Sequence, residues 1–151
     1  RANARVPLVL KGVLHPDDAK RAHACGADAL IVSNHGGRTL DTALPTAWAL
    51  PRIADALGGA LPLLVDGGIR RGTDVLKALA LGARAVLVGR PIVYALAVAG
   101  PQGVAHALRL LRDELEIAMA LTGIATLDAV PRELLFDASK THLGAPWERP
   151  R

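Results

Sequence analysis

Four groups of polar and glycine residues in this 151-residue chain have the composition of a small-molecule site, and each follows a short apolar run. The groups are Lys11 with Gly12, residues 33–38, residues 66–72 and residues 89–91. Because the carboxyl ends of parallel strands meet on one rim, we expect these groups to face a common site.

Two consecutive glycine-rich groups predict a phosphate site. Glycines let the backbone approach an anion closely, and the exposed amides then donate hydrogen bonds to it. Gly67 and Gly68 follow the third apolar run and Gly89 follows the fourth, with Arg70 and Arg90 beside them. A single Gly-Gly pair is more often a turn, but two such loops with flanking arginines favour a phosphate.

His35 is the candidate base, although a lone histidine is more often structural. It lies in the longest loop, and imidazole exchanges protons near neutral pH. Asp66, after the neighbouring strand, is expected to hydrogen-bond its ring. Arg38 could clamp a carboxylate with two hydrogen bonds or be a solvent-facing charge. A base beside a carboxylate clamp predicts a substrate with an acidic position next to its carboxylate.

Lys11 closes an apolar run, and a lysine at a buried strand end is costly unless an anion or electron-rich partner meets it. Two alternatives stay open from the residues alone. The amine could form a Schiff base, as in many barrel enzymes, or its charged end could reach solvent along an apolar stem.

The apolar runs predict four parallel strands buried on both faces, because none alternates polar with apolar residues. These strands are residues 6–10, 29–32, 61–65 and 85–88. Helices are predicted at residues 16–25, 45–57, 73–81, 91–99 and 102–122. A helix-period apolar stripe on the last helix comprises Val104, Leu108, Leu111, Leu115 and Met119.

Four strand–helix units fit an open doubly wound sheet or half of an eight-stranded barrel, since a complete barrel has about 250 residues. No Gly-x-Gly-x-x-Gly follows the first run, which disfavours a dinucleotide-binding fold.

Composition excludes several other classes. Aromatic residues make up 3% of the chain and the net charge is only +4, so no nucleic-acid partner is expected. The single cysteine excludes an intramolecular disulfide or a cysteine-based zinc site. No uncharged apolar stretch reaches about 18 residues, so no transmembrane segment is expected. A cytoplasmic location is the expectation.

Three sequence motifs together indicate one family. They are Ser-Asn-His-Gly-Gly-Arg at 33–38, Asp-Gly-Gly-Ile-Arg-Arg-Gly at 66–72 and Val-Gly-Arg-Pro at 88–91. In this order and spacing they resemble the FMN-dependent α-hydroxy acid dehydrogenase/oxidase family, which includes glycolate oxidase, lactate oxidase and mandelate dehydrogenase. The similarity covers residues 6–130 and the second half of a family member. It implies an α/β fold: the C-terminal half of a TIM (β/α)8 barrel, over residues 1–136, with four βα units and C-terminal helices. Residues 137–151, which are rich in Arg, Pro and His, are expected to form a loosely ordered polar tail.

The resemblance also implies site roles. His35 would be the base, Arg38 the substrate-carboxylate ligand, and Asp66 the partner of His35. Lys11 would stabilise negative charge on the reduced flavin, which disfavours the Schiff base, and Ser33 would contact the ring. The residues implied to bind FMN are Lys11, Ser33, Asp66, Gly67, Gly68, Ile69, Arg70, Gly89 and Arg90.

The implied reaction is oxidation of a small (S)-2-hydroxy acid, such as lactate, glycolate or mandelate, to the 2-oxo acid. The electron acceptor stays open between oxygen, a quinone and a cytochrome, and the full-length form is expected to be a homo-oligomer. This chain alone is expected to bind FMN weakly and to turn over little.

Two alternatives remain. One is another phosphate-binding TIM barrel, such as a type 2 isopentenyl-diphosphate isomerase or an IMP dehydrogenase relative, although the His35 and Arg38 pair disfavours it. The other is a catalytically silent half-barrel that serves in assembly or binding.

Overall fold

Four short parallel strands form the sheet in the computed structural model, which describes residues 5–136. They are β1 (Val9–Val13), β2 (Ala29–Val32), β3 (Leu63–Val65) and β4 (Ala85–Val86). Their order in the sheet is their order in the chain, and every neighbouring pair is parallel. Consecutive strand–helix units produce this topology, as the spacing of the apolar runs predicts.

Helices connect the strands: α1 (Pro16–Ala24), α2 (Thr46–Leu57), α3 (Gly72–Ala80) and α4 (Arg90–Thr122). Local sequence explains where they begin and end. Pro16 opens α1 with Asp17 and Asp18 in the first turn, where the helix dipole favours negative charge. Gly58 closes α2 in the left-handed conformation, with φ of 55°. The first three helices therefore match their predicted bounds to within about one residue.

The core lies on one face of the sheet. Leu30 and Val32 of β2 are fully buried and pack with Leu50 and Ile53 of α2 in one apolar cluster. The opposite face carries a row of residues in register, whose side chains are only partly buried or exposed. This row is Lys11, Ile31, Leu64 and Ala85. The prediction of strands buried on both faces is therefore wrong for residues 5–136, which supply a covering layer to only one face.

Strand β1 differs from the prediction in position. It starts at Val9 rather than at residue 6, because Pro7 has no amide hydrogen and the amide of Leu8 donates to the Asp28 carboxylate at 2.7 Å. Lys11 consequently lies inside β1 and not at its end. The register shifts between Lys11 and Val13, so a bulge follows the lysine. β3 and β4 are likewise shorter than predicted.

The long helix α4 contains the predicted break. Ala99 and Gly100 have non-helical backbone angles, and Gly100 has φ of 56° and ψ of −147°. Beyond the break, a Cβ on Gly103 would lie 2.1 Å from the carbonyl oxygen of Ala95, so the two parts of the helix touch. Of the predicted apolar stripe, Leu111 and Leu115 pack on the core while Leu108 is half exposed.

α4 is also long enough and apolar enough, by length and composition, to be considered as a membrane span. The break at Gly100 divides it into two parts that are not collinear, and the longer part carries five charged side chains. These are Arg109, Arg112, Asp113, Glu114 and Glu116. Residues 91–108 contain no Asp, Glu, Lys or Arg, but the non-helical backbone at Ala99 and Gly100 interrupts this run before it reaches the length of a spanning helix.

Two ion pairs attach the segment that follows α4 to the strand–helix units. Arg84 contacts Asp128 at 3.1 Å, and Arg132 contacts Asp55 at 2.7 Å. The predicted polar tail at residues 137–151 lies outside the described residues.

Truncation of the core is expected to be costly. Leu30→Ala removes a fully buried side chain and should lower the free energy of unfolding by about 2–5 kcal/mol, measured by urea denaturation. Leu121→Ala is the matched control: this leucine is 83% exposed, and its change should stay within about 0.5 kcal/mol. Equal losses in the two variants would contradict the assignment of the core.

Candidate active site

A cavity of about 960 Å³ opens at the carboxyl ends of the four strands, near the upper end of the range for small-molecule sites. All four strand–helix loops or strand ends contribute to its wall. The sequence-predicted residues that line it are Lys11, His35, Arg38, Asp66, Gly67, Gly68, Ile69, Arg70, Gly89 and Arg90. Ser33 lies beside the cavity and is 99% buried. The predicted convergence of the four groups on one site is therefore observed.

Lys11 and Asp66 form the charged centre of the site. The Lys11 Nζ lies 3.0 Å from the Asp66 Oδ2 and donates to the Ser33 Oγ at 2.8 Å. The same Ser33 Oγ accepts from the His35 backbone amide at 3.1 Å. Lys11 therefore has the anionic partner that its position on an apolar strand requires. An ion-paired ammonium has no lone pair, which disfavours a Schiff base.

Asp66 retains one free oxygen. Its Oδ1 is buried and has no hydrogen-bond partner among the described residues. A buried carboxylate oxygen without a donor is unfavourable, and such groups typically serve a ligand or a catalytic step. Asp66 therefore contributes one ion-paired oxygen and one buried oxygen without a donor to the wall of the cavity.

The predicted hydrogen bond between Asp66 and the His35 ring is not formed in the described structure. The carboxylate pairs with the Lys11 ammonium, because a full positive charge attracts it more strongly than an imidazole does. The His35 ring lies against Gly12 instead: a Cβ on Gly12 would be 2.6 Å from the His35 Cε1. The bulge glycine thus provides the space that the ring occupies.

His35 itself has an unusual backbone. Its φ is 54°, in the left-handed region that side chains rarely adopt, and Gly36 and Gly37 follow with φ of 68° and 70°. Asn34 supports this turn, since its Oδ1 accepts from the Gly36 amide at 3.0 Å. Strained residues of this kind occur mostly where a side chain must be presented to a ligand.

The loop between β3 and α3 presents free amides. Gly67 and Gly68 are both left-handed, with φ of 87° and 85°, and no described residue accepts their amide hydrogens or that of Ile69. Successive free amides in such a turn form a concave anion-binding surface. This is the geometry that the glycine pattern predicts for a phosphate.

The end of that loop is fixed from the other side. The amides of Arg70 and Arg71 both donate to the Asp74 Oδ2 at 3.0 Å, and the amide of Gly72 donates to the Glu114 Oε2 at 2.9 Å. A Cβ on Gly72 would lie 2.1 Å from the backbone nitrogen of Leu115, so α3 and α4 touch through their backbones.

The charge of the cavity wall favours an anion. Four cationic side chains line it, namely Lys11, Arg38, Arg70 and Arg90, against the single carboxylate of Asp66. The excess is three positive charges with histidine neutral, so a ligand carrying about three negative charges would neutralise the wall.

Sequence reasoning missed two polar residues of the cavity wall. Tyr94 lines the cavity one helical turn after Arg90, a spacing that places both on one face of α4. Thr46 also lines it; its buried hydroxyl donates to the Asp66 carbonyl oxygen at 2.7 Å. Its position at the start of a helix was the available signal, but a threonine there usually indicates only a cap.

The fold is that of half of a (β/α)8 barrel, with free amides and cationic side chains at its rim, which confirms the predicted fold class. A family model described as FMN-dependent dehydrogenase matches residues 1–137. The chain therefore belongs to the FMN-dependent dehydrogenase family.

Several relatives have specific names. An L-lactate oxidase of Roseobacter sp. (strain GAI101) is 54% identical over 93% of this chain and 38% of its own length. An L-lactate dehydrogenase of Caulobacter sp. (strain K31) is 57% identical over 85% of the chain and 34% of its own. A crystal structure of mandelate oxidase with benzoyl-formic acid superposes with a TM-score of 0.84 at 53% identity, covering 87% of this chain and 39% of that one. The chain thus spans between about a third and two fifths of the length of these relatives.

The packing of His35 on Gly12 predicts a specific perturbation. Gly12→Ala should displace the ring, because the added Cβ would overlap it, and the His35 ring signals should shift in NMR spectra. Gly59→Ala is the matched control: Gly59 has φ of 84°, similar to the 101° of Gly12, but no atoms within 4 Å of its Cβ position. Both variants should lose stability by about 1–3 kcal/mol from backbone strain, and only the first should move the histidine signals. Unchanged His35 signals in Gly12→Ala would contradict this packing.

Proposed function

We propose that this chain provides the cofactor- and substrate-facing residues of an enzyme that oxidises a small (S)-2-hydroxy acid to the 2-oxo acid with FMN. The observation that carries the proposal is the meeting, in one cavity, of a free-amide cradle, four cationic side chains and the His35–Arg38 pair. The relatives named lactate oxidase, L-lactate dehydrogenase and 2-hydroxyacid oxidase support a small hydroxy acid as the substrate.

The residues fit FMN at its phosphate end. A phosphate monoester carries about two negative charges near neutral pH, and a substrate carboxylate adds one, which together balance the cavity wall. The free amides of Gly67, Gly68 and Ile69 would donate to the phosphate, with Arg70 and Arg90 adding charge-assisted hydrogen bonds.

The residues at the centre of the site fit the ring. Lys11 would hold the polar edge of the flavin, with Ser33 beneath it, because an ammonium favours negative charge at that edge. When bound, FMN accepts the two electrons of the oxidation, which no side chain of the chain can do.

The protein's part in the reaction is orientation and proton transfer. Arg38 would hold the substrate carboxylate through paired hydrogen bonds, and His35 would accept a proton from the substrate, at its α-carbon or its hydroxyl. The free oxygen of Asp66 would then compensate the charge of the protonated His35, although the ring and the carboxylate are not bonded in this structure.

The proposal extends to the finer properties of the complete enzyme. The relatives include both oxidases and dehydrogenases. For the electron acceptor of the complete enzyme we propose oxygen, a quinone or a cytochrome. We also propose that the full-length enzyme is a homo-oligomer and that it is located in the cytoplasm.

The phosphate cradle predicts a preference for FMN over riboflavin. FMN should bind at least about tenfold more tightly, because only FMN carries the anion that the cradle and arginines attract. Arg90→Ala should weaken FMN binding by about tenfold and leave riboflavin binding unchanged, as measured by quenching of flavin fluorescence. Arg109→Ala, on the part of α4 outside the cavity wall, is the control. Equal affinity for the two flavins would contradict a phosphate site.

The roles of His35 and Arg38 predict different kinetic changes in the FMN-loaded enzyme. His35→Gln should lower kcat by about 10²- to 10⁴-fold, because proton transfer loses its base. Arg38→Lys should mainly raise KM, because a lysine cannot form the paired contact with a carboxylate. His23→Gln, on the exposed end of α1, should change neither. FMN binding without any oxidation of 2-hydroxy acids, when the chain is complemented with the other half of the barrel, would instead support the silent half-barrel.

A further inference from the structure

Thr46 is one of only two polar residues that are buried within residues 5–136, the other being Ser33. Ser33 already has a place in the site, since it joins Lys11 to the His35 loop. Thr46 has none in the mechanism above. It is the first residue of α2, and only 3% of its surface is exposed.

The Thr46 hydroxyl is bonded outside its own helix. Its Oγ1 donates to the carbonyl oxygen of Asp66 at 2.7 Å and lies 3.4 Å from that of Gly67. No side chain caps the start of α2. The hydroxyl therefore serves the loop after β3, twenty residues away in sequence, and not the helix to which Thr46 belongs.

Thr46 also brings two loops of the site into contact. A Cβ on Gly67 would lie 3.2 Å from the Thr46 Oγ1 and 3.4 Å from the Asn34 Oδ1. Asn34 supports the strained turn that carries His35, as described above. Gly67 therefore fits between the start of α2 and the His35 loop, where an added Cβ would be in tight contact with both.

The planarity of the peptide gives this contact a directional effect. In a trans peptide the carbonyl oxygen and the following amide hydrogen point in opposite directions. When Thr46 holds the Asp66 oxygen on one side, the Gly67 amide is held toward the other. Gly67, on one side of this peptide, opposes its rotation only weakly, because glycine adopts positive and negative φ with similar ease.

We propose that Thr46 is a positioning residue: its hydroxyl fixes the peptide between Asp66 and Gly67, and so aims the first free amide of the phosphate cradle and holds Asp66 in place. The proposal rests on the function proposed above, in which that cradle holds the FMN phosphate. A purely structural Thr46 would stabilise the fold but would leave the order of the two glycines unchanged.

Three variants test this role. Thr46→Val removes the hydroxyl at nearly constant volume, and Thr46→Ser keeps it while removing the methyl. Thr122→Val is the matched control, because the Thr122 hydroxyl also donates to a backbone carbonyl, that of Ala118, at 2.7 Å, far along α4. Should Thr46→Val fail to fold, Thr46→Ala removes the same bond without a branched side chain.

The first measurement uses the chain without FMN. Backbone ¹⁵N relaxation should show order parameters near about 0.85 for Gly67 and Gly68 in the wild type, falling toward about 0.6 in Thr46→Val. Thr46→Ser and Thr122→Val should keep the wild-type values. Unchanged glycine order in Thr46→Val, or equal loosening in Thr46→Ser, would overturn the proposal.

The second measurement is FMN titration followed by flavin fluorescence. Thr46→Val should weaken FMN binding by about tenfold, while Thr46→Ser stays within about threefold of the wild type. Thr46→Val binding as tightly as the wild type would overturn the role in the cradle. If the wild type binds no FMN, the proposed function fails, and the glycine order still decides whether Thr46 positions the loop.

Discussion

The ion pair between Lys11 and Asp66 is the interaction on which the site depends. It connects β1 to the end of β3 across β2. Ser33, at the end of β2, joins this connection because its Oγ accepts a hydrogen bond from the Lys11 ammonium. Without the carboxylate, the cavity wall would hold four cations and no anion. The same pair uses the Oδ2 atom of Asp66 and leaves the Oδ1 atom buried without a donor among the described residues.

The sheet positions this pair but is covered on one face only within the described residues. Helices α1 to α3 bury Leu30, Val32 and their neighbours, whereas the row that includes Lys11, Ile31 and Leu64 stays partly open. The lysine belongs to this open row, so the charged centre lies where a barrel interior reaches its rim. The relatives are between two and a half and three times longer than the matched segment, and the described half-barrel still brings every sequence-predicted site residue to one place.

Much of the fold and site could be predicted because it is encoded locally. An apolar run followed by glycines and an arginine indicates a strand end and an anion loop without knowledge of distant residues. The start of β1 could not be predicted this way, because it depends on the Asp28 carboxylate capturing the Leu8 amide. The predicted partner of Asp66 differs from the observed one for a similar reason. Lys11 and His35 compete for one carboxylate, and only their three-dimensional arrangement decides which of them pairs with it. Thr46 was missed because its partner is on another loop.

The backbone contact between Gly72 and Leu115 has a mechanical consequence. Because no side chain lies between the two backbones at this contact, a small tilt of α4 cannot be taken up by a change of side-chain rotamer there. A displacement of α4 would pass through Glu114 and the first turn of α3 to the amides of Arg70 and Arg71. The loop at residues 66–71 is therefore braced by the longest helix of the described residues, and a force on the outer side of that helix would shift the amides of this loop.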